Sequence, residues 1–135
     1  MPFLPIAKFI VLVAFFFMAV SAHVSAGEFK GPRTAVRLEI HNNVGSPLRC
    51  QLVLAHFVTQ DIAPILPGGE LIIALDRDMD QGALIFRHTG GRSMAIENIL
   101  CGHSGAWSET RIDLDLTGMR SGKTTELRIV IGKLH

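Results

Sequence analysis

The sequence predicts an all-β protein: a small antiparallel β-sandwich of about seven strands, tied by one disulfide and preceded by a cleavable leader. Three observations carry that reading. Apolar and polar residues alternate over residues 34–41, 111–116 and 125–131, the period of a strand half buried against a core. Turn residues recur at intervals of roughly ten, and no stretch of the mature chain keeps a helical repeat. Cys50 and Cys101 stand 51 residues apart, neither in a close-spaced pair, which favours a structural disulfide over a metal or redox site. Closing a loop of about 50 residues stabilises a fold by about 4 kcal/mol on the chain-entropy model. That is a large share of the roughly 5–15 kcal/mol that holds a typical domain.

The leader is read from residues 9–20, an unbroken apolar run of 12 with Lys8 before it and Val24, Ser25 and Ala26 after it. This is the three-part order of a secretory signal peptide. As a helix the run extends roughly 18 Å, short of a bilayer core of about 30 Å. An uncleaved anchor is the rival reading, and cleavage after Ala22 also fits the small-residue preference. The chain then divides into a signal peptide, residues 1–26, and a β-sandwich domain, residues 27–135, with no stable membrane span after cleavage. The expected location is periplasmic or secreted.

Losing Lys8 reduces 13 basic residues to 12, against 12 acidic ones. The signs alternate along the chain, so the basic face that nucleic acid needs is missing. Five of the eight Phe residues leave as well, so the mature part keeps Phe29, Phe57, Phe86 and Trp107, with no Tyr. That is a poor stock for stacking on bases or sugars.

In order, residues 27–33 read as a lead-in. Residues 34–41 form a half-buried strand with Val36, Leu38 and Ile40 inward. Residues 42–47 turn the chain. Residues 48–58 read as one central strand, apolar on both faces. For these two strands to pair with Ile40 beside Leu48 or Cys50, the loop must be odd or carry a bulge; otherwise they lie in different sheets. Residues 60–69, Pro-rich yet carrying Ile62, Ile65 and Leu66, cross between sheets over an open end.

A short strand over 70–75 leads into an acidic loop, 76–82. Residues 83–88 and 93–101 form a hairpin around Gly90 and Gly91, which tolerate positive φ. Residues 102–107 are a loop. Residues 111–116 and 125–131 are expected to pair across a turn at 117–123. That register sets Leu116 by Thr125, Leu114 by Leu127, Ile112 by Ile129, and Asp113 opposite Arg128.

Four motifs invite chemistry. Residues 118–124 mimic a phosphate-binding loop, but three residues separate the glycines where four are needed, and the context is strand to strand. A β-turn is the reading there. Gly102-His103-Ser104-Gly105-Ala106 mimics a hydrolase nucleophile elbow, but its last glycine is Ala106. Asp76, Asp78 and Asp80 copy the first ligands of a calcium loop. Gln81 then replaces the turn glycine and Arg87 the closing glutamate, so they are weak metal candidates.

Among the histidines, Cys50 and His56 share a strand face six residues apart, roughly 20 Å at 3.3 Å per residue, and cannot share an ion. His41 is expected to face solvent, His56 to be a hydrogen-bonded core residue, and His103 to approach the disulfide. A metal site from His41, His88 or His103 would need their convergence in the fold.

Trp107 is the best candidate for an exposed contact residue. The reading favoured over it has Trp107 plugging one end of the sandwich, because a small core rarely wastes its only Trp. The expected function is a non-enzymatic protein-binding module, such as an inhibitor or immunity-type protein. Its contact loops would be 60–69 and 102–107, the latter with His103 and Trp107. No catalytic constellation and no cofactor motif is seen. The alternative is a periplasmic metal- or small-ligand-binding protein.

Overall fold

A computed structural model describes residues 31–88 and 91–134. The expected leader and Gly90 lie outside these residues. The strands are β1 (Arg33–Asn42), β2 (Leu48–Leu54), β3 (Val58–Asp61), β4 (Glu70–Asp78), β5 (Leu84–Arg87), β6 (Ser93–His103), β7 (Ile112–Asp113) and β8 (Glu126–Ile131). Two short helices, α1 (Trp107–Thr110) and α2 (Thr117–Ser121), lie between β6 and β8. The strands form one sheet in the order β3-β2-β6-β5-β4-β1-β8, with β7 attached to β6.

The chain is mostly β, as expected, but two separate sheets are replaced by one continuous sheet. The long strand β6 joins its halves. Ser93–Ala95 pair with β5, and Ile96 onward pairs with β2. At this hand-over the register shifts: Val53 faces Asn98 and Leu54 faces Ile96, so Glu97 is left over as a bulge. A bulge bends a strand and resets its face alternation. Ile96 and Ile99, an odd number of residues apart, are therefore both buried. The buried side chains of both halves meet in one cluster, so the sheet folds back on itself.

Strand β1 follows its sequence pattern. Val36, Leu38 and Ile40 are buried while Arg37 is exposed and Glu39 and His41 are half-buried. In β2, Leu48, Cys50, Leu52 and Leu54 are fully buried, and Arg49, Gln51 and Val53 face outward. Burying each such leucine is worth about 1.5–3 kcal/mol, which makes β2 the best-buried strand of its half. Its outer face is half open, so the expected two-sided burial does not occur. The expected strand over 48–58 also breaks at Leu54, where the chain turns at residues 55–57 and returns as β3. Strands β1 and β2 do not pair; they lie in different halves of the sheet.

The disulfide forms between directly opposed residues, Cys50 on β2 and Cys101 on β6, with Cα atoms 4.2 Å apart. The Cys50 carbonyl accepts from Ile62 N–H on the other side. Towards β6 the pair is therefore a non-hydrogen-bonded one, in which side chains approach closely. Residues 62–69 cross from β3 to β4, with Ile65 buried against Leu48 and Leu66 exposed.

The expected pairing of residues 111–116 with 125–131 is overturned. β8 runs parallel to β1, setting Leu127 beside Leu38 and Arg128 beside Glu39. Only Ile112 and Asp113 are strand, and they pair with β6. The alternating pattern named part of the inward set, since Leu114, Leu116, Leu127 and Ile131 are buried, whereas Ile112 and Ile129 are half-buried and Thr125 is exposed. It carried no information about the partner strand. Residues 117–121 are a helical turn instead of a β-turn. That turn is held from two sides. Arg77, buried on the inner face of β4, donates to the Met119 and Thr124 carbonyls, and Arg120 donates to those of Ile96 and Glu97.

Candidate functional site

The outward face of β1 and β4 gathers the one group of metal-competent side chains found among the described residues: Glu39, His41 and Glu70. The strand period sets Glu39 and His41 on the same face of β1. Register then brings Glu70 of β4 directly opposite His41. Nε2 of His41 lies 3.4 Å from Oε2 of Glu39 and 3.4 Å from Oε2 of Glu70. His41 and Glu39 are largely covered, while Glu70 is half exposed. The other oxygen of Glu39 accepts from Nε of Arg37 at 2.9 Å. The His41 hydrogen bond, followed by Arg37, holds the Glu39 carboxyl below its ordinary value of 4.5, with desolvation acting the other way.

Beyond this group the same face carries a shallow groove of about 680 Å³. Ala35 and Ala74 leave it open, Ile85 lies on it, and Arg37, Arg87, Asp76 and Glu126 rim it with both signs of charge.

The second notable place is the tip of the β2–β3 hairpin. His56 and Phe57 both take positive φ, 62° and 60°. Phe57 is 88% exposed, the most exposed large apolar side chain among the described residues. Left-handed backbone costs an L-residue about 1–2 kcal/mol, and positive-φ positions of hairpin loops are normally taken by Gly, Asn or Asp. Below the tip, Leu54 pairs with Val58 and Val53 with Thr59, and Arg49 reaches Asp61 at 3.0 Å. The exposed aromatic ring thus stands at the end of a paired hairpin.

The residues singled out from sequence fall elsewhere. Trp107 neither plugs the end of the fold nor stands free. It is half-buried outside the core cluster, with Nε1 donating to the Arg49 carbonyl at 3.2 Å. The guanidiniums of Arg49 and Arg111 lie 4.8 Å and 5.3 Å from its ring centre, a cation–π arrangement that occupies the ring. Gly102 permits this crossing, because a Cβ there would come within 2.9 Å of the Arg111 backbone.

His103 hydrogen-bonds through Nδ1 with the Ser46 hydroxyl. Its backbone N–H donates to the Thr110 hydroxyl at 2.8 Å. His56 is exposed at the hairpin tip and not in the core. His41, expected to face solvent, is half-buried between two glutamates and does not converge with His88 or His103.

The three aspartates do not form a loop site. Asp76 is a strand residue 3.9 Å from Arg33, and Asp78 is buried with its carboxylate accepting from the Asp80 and Gln81 amides. Their carboxylates do not converge as those of Glu39 and Glu70 do. Sequence reasoning missed Phe57 and the Glu39–His41–Glu70 group. The available signals were a His-Phe pair inside an apolar run and the Glu-x-His spacing on an alternating strand.

No family model, curated protein or solved structure matches this chain.

Proposed function

We propose that this protein is an exported, non-enzymatic binding module, periplasmic or secreted, that seats Phe57 in an apolar pocket of another protein. The observation that carries the reading is the exposed ring on a left-handed backbone at the end of a braced hairpin. Strained backbone of this kind clusters at functional positions, and aromatic side chains are enriched in interface cores. The contact thus moves from the expected loops 60–69 and 102–107 to the hairpin tip. An inhibitor or immunity-type protein fits this architecture, since it needs a rigid scaffold and one presented side chain. The apolar run at residues 9–20 and the disulfide support export. Among the described residues no helix is long and apolar enough to cross a membrane.

The test replaces Phe57 by a photo-crosslinking phenylalanine analogue in the full chain, secreted by its native host. One stoichiometric adduct is expected, competed away by unlabelled protein and not by the Phe57→Ser variant. Equal competition by Phe57→Ser, with its circular dichroism unchanged, would refute the hairpin contact, and so would the absence of any protein adduct. A lipid adduct would replace the protein partner by a membrane surface.

A further inference from the structure

We propose that Glu39, His41 and Glu70 form a binding site for one divalent d-block cation of zinc type, on the outer face of β1 and β4. The geometry is that of a ligand set. Two donors each about 2.1 Å from a tetrahedral zinc ion lie about 3.4 Å apart. The His41 nitrogen stands at 3.4 Å from an oxygen of each glutamate. The three donor atoms lie within 4.8 Å of one another, so a small carboxylate rotation closes the triangle.

The hydrogen-bonding count points the same way. Nε2 of His41 carries at most one hydrogen, yet two carboxylate oxygens stand at equal distance from it. One N–H can serve one of them well. A cation between the three atoms satisfies both oxygens and takes the nitrogen lone pair.

The surroundings supply the outer contacts that metal sites use. Arg37 fixes one oxygen of Glu39 and leaves the other turned to His41, the second-shell role that orients a ligating carboxylate. All three ligands stand on paired strands in fixed register, Glu70 opposite His41, and rigid elements hold ligands better than loops do. One imidazole and two carboxylates suit zinc and its d-block neighbours better than calcium or magnesium, which prefer oxygen alone. Three protein ligands leave a coordination position for water or a donor from outside.

The site is independent of the hairpin contact. The test is calorimetric titration of zinc into the untagged, chelator-stripped protein. One ion per chain is expected, with affinity reduced at least about tenfold in Glu70→Gln and in His41→Gln. Calcium under the same conditions should give no such binding. Glu70 is half exposed, so its variant should keep the metal-free melting temperature. A wild-type protein that binds no zinc overturns the site, as does unchanged affinity in both variants. For a variant that folds poorly, the wild-type ring of His41 serves instead: substoichiometric cobalt should shift its NMR signals first, and a prior shift of His56, His88 or His103 also overturns the site. Phe57→Ser should leave the titration unchanged, separating this site from the partner contact.

Discussion

The two halves of the sheet are locked by different means. In the half built on β2 and β6, a covalent bond joins directly opposed residues, Cys50 and Cys101, both fully buried. In the half built on β4, β1 and β8, a corresponding role falls to Arg77, a residue only 3% exposed, whose guanidinium binds the carbonyls of Met119 and Thr124 at 2.8–3.1 Å. The first lock acts mainly by restricting the unfolded chain. The second acts in the folded state, by giving a buried cation and two carbonyls partners they would otherwise lack. A small domain buries too little surface to rely on its apolar core alone, and this one uses both devices, one in each half.

Removing the first lock should have the largest effect. The double substitution Cys50→Ala, Cys101→Ala opens a loop with a sequence separation of 51 and should cost about 4 kcal/mol. Urea denaturation measures it, and a loss below about 1 kcal/mol would mean that the covalent lock is dispensable. Next comes Arg77→Met, which strands the Met119 and Thr124 carbonyls and should cost about 2–4 kcal/mol. Hydrogen exchange should show the loss of protection centred on residues 116–125. A uniform loss over β2 and β6 as well would break the distinction between the halves.

The hairpin tip should behave in the opposite sense. Replacing His56 and Phe57 by Asn-Gly relieves two left-handed L-residues and should stabilise by about 1–2 kcal/mol, seen as a higher melting temperature. A lower one would show that the Phe57 ring contributes to folding. The smallest effect concerns acid. Glu39 is lowered by its hydrogen bond from His41 and Asp115 by the Thr117 backbone amide, from ordinary values of 4.5 and 3.8. A carboxyl lowered in the folded state adds stability above its unfolded value and loses it as pH falls through the folded one. Melting temperature should therefore drop below about pH 4.5, and less steeply in Asp115→Asn. An unchanged slope in that variant would assign the acid sensitivity elsewhere.

The site was partly legible in advance. Glu39 and His41 are one strand repeat apart, so their common face follows from residues 34–41 alone. Glu70 lies 29 positions beyond His41, and only the antiparallel register of β1 and β4 makes them neighbours. The hairpin was hidden for the converse reason. Residues 48–58 are apolar enough to read as one strand, and neither His56 nor Phe57 belongs to the residues that mark a left-handed turn.

The pairing of residues 111–116 with 125–131 shows the limit most clearly. Face and charge agreed in one antiparallel register with Asp113 opposite Arg128, yet Arg128 stands beside Glu39 on a parallel neighbour. By itself the sequence determined the inward side chains of β1 and which two cysteines join. It did so because alternation and thiol chemistry are local or limited in choice. Tertiary structure alone decided which strands are neighbours, where β6 bulges and which polar groups converge on the outer face. Every strand edge offers the same N–H and C=O groups, so the choice of partner is made by the packing of the whole core and not by any single stretch.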